Sequence, residues 1–396
     1  MEWLTQTGAM IALNLRTIPA RLSSSAVAII GIAGVVVVFV SVLSIAAGFS
    51  AAMQGSGSPS RALVLRSGAD TEMTSGLEGA DVDVIKQAPG IRRGGAGLLA
   101  SAELYVIIDL PKRSTPDAAT NVPMRGIEPA GVAVREEVSI VQGRMFEFGT
   151  NEVVVGRAAS GQFVSTNVGD TIVSGQNRWQ VVGIFEADGG VAETEIWCDA
   201  RTLQGAYRRG NTYQAVLAQL DSTESFDAFR DSLTSNPQVN VGVRRENVYY
   251  AAQSVAMSRL IQSIGFGIAA LMGIGAVFGA ILTMYTAVAT RAREIATLRA
   301  LGFSTSSVLV SVLTESLALG GIGGLLGGMT AYLAFNGFET STMNFQTFSQ
   351  VAFAFRVTPE LLATGLVYAL VMGFIGGLLP AVRAARLPIS TALREL

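Results

Sequence analysis

Residues 24–47 read SSAVAIIGIAGVVVVFVSVLSIAA, with Val35, Val36, Val37, Val38 and Phe39 at the centre and no charged side chain. A helix needs about 20 apolar residues to cross the hydrocarbon of a bilayer, because every backbone polar group must be bonded internally there. This stretch meets that length, so the chain reads first as a membrane protein. Three later stretches behave alike: about Leu260 to Ala289, within a segment 259–290 that includes a stalk, then 306–335 and 361–380. Glu315 is the charged residue that interrupts them. Composition agrees, since 50% of the residues are hydrophobic and 15% charged, a balance hard to keep dispersed in water.

The arginines of the short connecting segments set the orientation, because positive residues near a membrane tend to stay in the cytoplasm. Arg16 and Arg21 precede the first span, Arg291, Arg293 and Arg299 lie between the second and third, and Arg383, Arg386 and Arg394 follow the fourth. The segment 336–360 carries Arg356 alone. Both termini, the connection 291–305 and the tail 381–396 are therefore expected in the cytoplasm, and residues 48–258 outside it. The first span could instead be a cleaved secretory signal, with Ala46, Ala47 and Ala51 offering small residues to a peptidase. Its apolar run exceeds a signal's usual core of about 7–15 residues. The preceding residues 1–23 also read as an interfacial amphipathic helix, with Leu4, Ile11, Leu15 and Ile18 opposite Gln6, Asn14 and Thr17, before Pro19 turns the chain.

The outer region has a mixed pattern. Ala62 to Arg66 alternates as a strand, Val82 to Gln87 reads as helix up to Pro89-Gly90, and Leu104 to Asp109 is β-branched enough for another strand. A second β-α-β unit runs through Tyr213 to Leu220, a helix after Ser222 carrying Phe226 and Phe229, and Val239 to Val243. Between them, about 120–200, short strands separated by Gly and Asn/Asp turns predict an inserted β-rich subdomain. The fold class is thus membrane α-helical with four transmembrane helices and a large extracytoplasmic α+β domain, its two β-α-β parts lying about 60–112 and 212–245.

Small residues recur four apart in the last three spans: Gly275 and Gly279; Gly320, Gly324 and Gly328; Gly373 and Gly377. Such rows let helix backbones approach in lipid, within one bundle or across a homodimer seam. Glu315 inside the third span costs at least about 2.5 kcal/mol unless paired, protonated or wetted. It is either a structural partner of Arg293 or Arg299, or a moving part of the mechanism. The connection 291–302 is short and amphipathic, with Arg293, Glu294 and Arg299 on one side and Ile295, Leu298 and Leu301 on another, closed by Gly302 as a helix stop. Lying between two spans, it is suited to fit a groove on a soluble partner.

Residues 291–302, read RAREIATLRALG, with Glu315-Ser316 and the glycines 320–328, resemble the MacB/FtsX-type permeases of ABC transporters, the lipoprotein-releasing and macrolide-exporter group. NEVVVGR at 151–157 and the ending with Pro380, Arg383, Ala384, Ala385, Arg386, Ala392 and Leu393 resemble the same family. The resemblance implies a porter-like outer module and a permease homodimer, or a pair with a paralogous permease, in a bacterial inner membrane. It further implies two ABC ATPase copies that bind ATP and Mg, and a periplasmic adaptor. Arg291, Arg293, Glu294, Ile295, Leu298, Arg299, Leu301 and Gly302 then form the coupling helix, and ATP-driven closure moves the outer domains by mechanotransmission, for export or extraction of a substrate. The division-associated branch of the family, which activates an envelope hydrolase, is the alternative.

Several functions are disfavoured by residue type. Histidine is absent and Cys198 is the one cysteine, which removes His-dependent triads, His-ligated metals and intramolecular disulfides. Cys198 itself reads as a small buried residue. Lys86 and Lys112 are the only lysines, neither in a phosphate-loop context, and no G-x-S-x-G occurs. The expectation is a transporter subunit, not an enzyme, with no cofactor of its own, embedded in lipid and without nucleic acid, since its net charge is −2 and its arginines are scattered.

Overall fold

Among the elements of this computed structural model, the apolar runs form long helices and the alternating segments form one sheet. The structure describes residues 2–17, 22–95, 97–344, 347 and 349–388. Ile18, Pro19, Arg21, Ala392, Leu393 and Arg394 lie outside the described residues, as do the side chains of Leu4, Leu15, Arg16 and Thr17. The chain opens with α1 (Glu2–Thr17) and α2 (Leu22–Gln54). There follow β1 (Arg61–Arg66), β2 (Leu77–Glu78), α3 (Gly79–Lys86), β3 (Arg93–Gly94), β4 (Gly97–Leu98), β5 (Ala100–Lys112) and β6 (Thr115–Ile127). The middle holds α4 (Pro129–Val134), β7 (Ser139–Gly143), β8 (Glu152–Gly156), α5 (Arg157–Gln162), β9 (Thr171–Ser174), β10 (Asn177–Glu186), β11 (Ile196–Asp199) and α6 (Ala200–Ala206). Then come β12 (Thr212–Tyr213), β13 (Ala215–Gln219), α7 (Ser225–Thr234), β14 (Val241–Arg245), α8 (Glu246–Thr290) and α9 (Ala292–Ala300). The last elements are α10 (Thr305–Phe335), β15 (Glu339–Asn344), β16 (Ser349–Ala354) and α11 (Pro359–Ala385).

These elements divide into two units. One, helical, comprises Met1–Ala47, Arg259–Phe338 and Phe355–Leu396; the other, mixed, comprises Gly48–Ser258 and Glu339–Ala354. Helices α2, α8, α10 and α11 are each long and apolar enough to cross a membrane. Their starts follow from local chemistry: Ser307 N–H donates to Ser304 Oγ at 3.2 Å ahead of α10, and Leu361 N–H to Thr358 Oγ1 at 3.3 Å ahead of α11. Three helices exceed the expected spans. α2 runs on to Gln54, and α8, with 45 residues, rises about 68 Å, over twice the hydrocarbon thickness. The fourth span was expected to stop at 380, yet α11 continues through Pro380 to Ala385. One lost N–H is a tolerable defect where the other backbone bonds persist.

In the mixed unit, β14, β1, β13 and β5 form successive neighbours of a ten-stranded sheet. β13 is antiparallel to both β1 and β5, and β1 is antiparallel to both β13 and β14, so the two β-α-β units interlock strand between strand. Alternation builds both faces: Ala62, Val64 and Val216 pack with Ile85 of α3 and Phe229 of α7, while Leu63, Leu65 and Leu217 pack on the other side with Val134 and Tyr249. The β-rich insertion expected as a separate subdomain instead continues this sheet. β5 pairs with β13 over Ala100 to Glu103 and with β6 from Leu104 to Lys112, after which β11, β8, β10 and β7 extend the order. A 13-residue strand is long enough to serve both partners. Segment 336–360, expected as a loop, contains the β15–β16 hairpin, which belongs to the mixed unit.

Candidate coupling site

Helix α9 connects α8 to α10 and is bounded by two backbone devices. Arg291 precedes it outside helical geometry, and Gly302 ends it at φ +98°, a conformation open to glycine at little cost. Gly302 N–H donates to Arg299 O at 3.1 Å and Phe303 N–H to Leu298 O at 3.2 Å, the paired bonds of a Schellman stop. The faces of α9 differ from the sequence expectation. Ile295 is buried and Leu298 half-buried, packing with Met10, Met284, Val288, Val308 and Val312 of the same unit. The apolar stripe is thus covered by the chain's own helices. What α9 leaves exposed is Arg293, Glu294, Thr297 and Ala300, continued by Leu301 at 74% exposure and Gly302. Arg299 is half-buried, its Nη1 donating to Leu387 O at 2.5 Å.

Glu315 pairs with neither Arg293 nor Arg299. Arg291 reaches it with both terminal nitrogens, Nη1 to Oε2 at 2.8 Å and Nη2 to Oε1 at 3.0 Å, and both side chains are about 5% exposed. A planar guanidinium matches a carboxylate in this way, and an ion pair of that geometry removes most of the cost of charge at membrane depth. Arg291 Nη1 also donates to Asn14 Oδ1 at 3.3 Å, and Asn14 Nδ2 to Ser311 Oγ at 2.6 Å. Sequence reasoning set Asn14 on an outward polar face of α1. The structure turns that face to α10 instead, with Thr7 Oγ1 and Ser307 Oγ 3.0 Å apart and Trp3 Nε1 donating to Ser306 Oγ at 2.9 Å. A run of Ser304, Ser306, Ser307 and Ser311 at the start of the third span was the available signal.

The glycine rows fall into two groups. A Cβ on Gly320 would lie 2.9 Å from Ala369 O and 3.2 Å from Gly373 Cα, and one on Gly324 would lie 2.7 Å from Ala369 Cβ. On the opposing helix, Cβ atoms on Gly373 and Gly377 would meet Ser316 O at 2.9 Å and Ser316 Oγ at 2.6 Å, while on α10 itself one on Gly328 would approach Leu362 at 3.3 Å. These glycines are the α10–α11 seam, where Ser316 Oγ also donates to Gly373 O at 2.6 Å. Gly275 and Gly279 have no such neighbour within 4 Å.

A second constellation, absent from the sequence reading, lies inside the mixed unit. Arg125 of β6 donates to Glu195 (Nε to Oε2, 2.7 Å), Glu72 (Nη1 to Oε1, 2.6 Å) and Glu103 (Nη1 to Oε2, 2.8 Å), and Arg135 donates to both oxygens of Glu103. All five side chains are buried. Burial pushes the Glu72 carboxyl above its ordinary range. Burial acts likewise on Glu103, but Arg135 and Arg125 outweigh it and hold that carboxyl below the range. Cys198 is fully buried beside them, its thiol pushed up by burial and its Sγ 3.7 Å from Arg125 O. An arginine inside the apolar run of β6 was the signal. Among the described residues, no group of His, Cys, Asp and Glu is arranged to hold a metal ion.

Comparison with known proteins places both units. Residues 25–236 match the MacB-like periplasmic core domain, and residues 266–389 match the FtsX-like permease C-terminal domain. The macrolide export ATP-binding/permease protein MacB of Pasteurella multocida is 25% identical over 337 residues, which cover 81% of this chain and 48% of that protein. The chain therefore spans about half the length of this curated relative. Two solved structures are similar over part of the chain. The extracellular domain of the ABC-type transporter YknZ from Gram-positive bacteria is 14% identical, with TM-score 0.36, over 46% of this chain and 99% of that one. The periplasmic region of MacB from Actinobacillus actinomycetemcomitans is 13% identical, with TM-score 0.37, over 48% of this chain and 90% of that one.

Proposed function

This chain belongs to the MacB/FtsX-type family of ABC transporter permeases, and from that premise we propose that it is the subunit through which ATP hydrolysis in a separate ABC ATPase moves an extracytoplasmic domain. The observation that supports this reading most is the division of labour on α9. Its inner face packs on α10 through the Arg291–Glu315 pair and through Ile295 and Leu298, and in this reading the short helix and the third span move together. Its outer face offers Arg293, Glu294 and Leu301 to a soluble partner. In this reading ATP and Mg are held by two ATPase copies, and α9 with both termini faces the cytoplasm of a bacterial inner membrane. A second permease copy completes the assembly. α2 and α8, each continuous from the helical unit into residues of the mixed unit, carry the stroke outward to act on a substrate there.

The test is isolation of the chain from its native membrane. An ABC ATPase should accompany the wild-type chain. The double reversal Arg293→Glu with Glu294→Arg should release it while leaving the chain folded, as judged by an unchanged melting temperature. Retention of the ATPase by that variant, or no ATPase with the wild type, removes α9 as the coupling element.

A further inference from the structure

Within the mixed unit, a cleft of roughly 1260 Å³ is bounded by the turn after β5, by α5, by β10 and by the β15–β16 hairpin. That volume exceeds the range of about 300–1,000 Å³ usual for small-molecule pockets. Its lining carries three cations, Lys112, Arg113 and Arg157, and three carboxylates, Glu186, Glu193 and Glu339. Arg157 pairs with Glu186 on one wall, and Glu193 is occupied through Oε1 by the backbone N–H groups of Ala187 and Gly189, at 2.8 and 2.7 Å. Lys112 and Arg113 differ. Lys112 Nζ donates to Ser341 Oγ at 3.1 Å and to Gln350 Oε1 at 3.0 Å, and Arg113 Nη2 to Ser160 O at 3.3 Å and Asn167 Oδ1 at 3.1 Å. Every one of these acceptors is neutral.

The turn that carries these two cations is fixed in place. Arg113 N–H donates to Gln162 O at 2.8 Å, and Val164 N–H to Pro111 O at 3.0 Å, which holds the end of β5 against the end of α5. Burial without a counter-charge lowers the Lys112 ammonium from its ordinary value. An arriving anion would reverse that penalty and gain charge-assisted hydrogen bonds. The lining also includes apolar side chains, Val141 at 49% exposure and Ile184 at 8%.

We infer that this cleft binds an anionic amphiphile, its phosphate or carboxylate head held by Lys112 and Arg113 and its apolar part lying along Val141 and Ile184. Glu339, exposed at the start of β15, lines the same cleft and opposes the anion. The inference stands apart from the transport reading, because binding needs neither nucleotide nor ATPase.

The experiment titrates the purified full chain, in a neutral detergent and without nucleotide, with dihexanoyl phosphatidic acid, with inorganic phosphate and with octyl glucoside. Phosphatidic acid should bind saturably, and inorganic phosphate and octyl glucoside at least about tenfold more weakly, since each lacks one half of the recognised chemistry. Lys112→Gln and Arg113→Gln should each weaken phosphatidic acid about tenfold, Lys112→Arg should retain it, and Glu339→Gln should tighten it. Melting temperatures certify that each variant is folded. Equal binding of inorganic phosphate, equal binding of octyl glucoside, or indifference of phosphatidic acid to Lys112→Gln and Arg113→Gln in folded protein would overturn the inference.

Discussion

Glu246 Oε2 lies 2.5 Å from Nε of Arg61, and the same oxygen accepts the backbone N–H of Ser58 at 2.9 Å. The first residue of the 45-residue α8 is thereby clamped to the turn that follows α2, where Gly57 takes φ +79°. Arg61 is bidentate to Glu137 as well, at 2.7 and 2.6 Å. Removing a buried arginine strands two carboxylates, whereas neutralising Glu246 leaves Arg61 with one partner. Arg61→Ala should therefore cost about 3–5 kcal/mol and Glu246→Gln distinctly less. Denaturant unfolding of the full chain in detergent measures both, and equal costs would refute the shared role of Arg61.

The Arg291–Glu315 pair predicts strong non-additivity. Arg291→Met or Glu315→Leu alone leaves a charge buried in the helical unit and should cost about 3–5 kcal/mol each. The double replacement should be less damaging than either single change. A thermal-melt double-mutant cycle reads this directly, and simple additivity would mean the two side chains do not depend on each other.

Acid should act on the mixed unit through Glu103. Its carboxyl titrates below the ordinary 4.5 in the folded chain, so its stabilisation is complete above that value and is lost as pH falls through the lower folded one. Glu72, shifted upward, has the opposite sign: its contribution is present below the unfolded value and lost as pH rises through the folded one. The stability gap between wild type and Glu103→Gln should thus be largest near neutrality and shrink below pH 4.5. A gap that is flat from about pH 7 to about pH 3 would contradict the assigned direction.

The glycines separate cleanly by substitution. Gly320→Leu drives a side chain into Ala369 O and Gly373 Cα and should cost at least about 1–3 kcal/mol of overpacking. A Cβ on Gly275 would meet nothing within 4 Å and the position is exposed, so Gly275→Leu should leave the melting temperature unchanged. A similar fall for both variants would show that the α10–α11 seam is not where the close approach matters.

How much of this was legible in the sequence depends on the range of the interaction. The spans were, because about 20 apolar residues have one stable solution in lipid. That Ala62 to Arg66 and Tyr213 to Leu220 hold strands was legible too, as short apolar runs, whereas the interlocking order of those strands was not. Partner choice was not. Glu315 offered three arginines within one short connection, and only the helix geometry selects Arg291. The inward turn of Ile295 and Leu298 was misjudged because an amphipathic helix does not say whether its apolar face meets a partner or its own bundle. Arg125 went unnoticed because its three glutamates come from sequence positions as far apart as Glu72 and Glu195.

The change of partner along β5 bears on how the chain assembles during synthesis. Strands β5, β6, β8, β10 and β11 all lie between Ala100 and Asp199 and can pair among themselves once that stretch has emerged. β1 cannot join them so early. Arg61 finds its ladder partner in Gln219, and Val64 finds one of its own in Val243, so the earliest strand must wait for the latest two. Closing so long a loop is slow. During that wait Leu63, Leu65 and their neighbours on β1 lack a strand partner, and their first cover comes when β13 has emerged, with β14 closing the other side later.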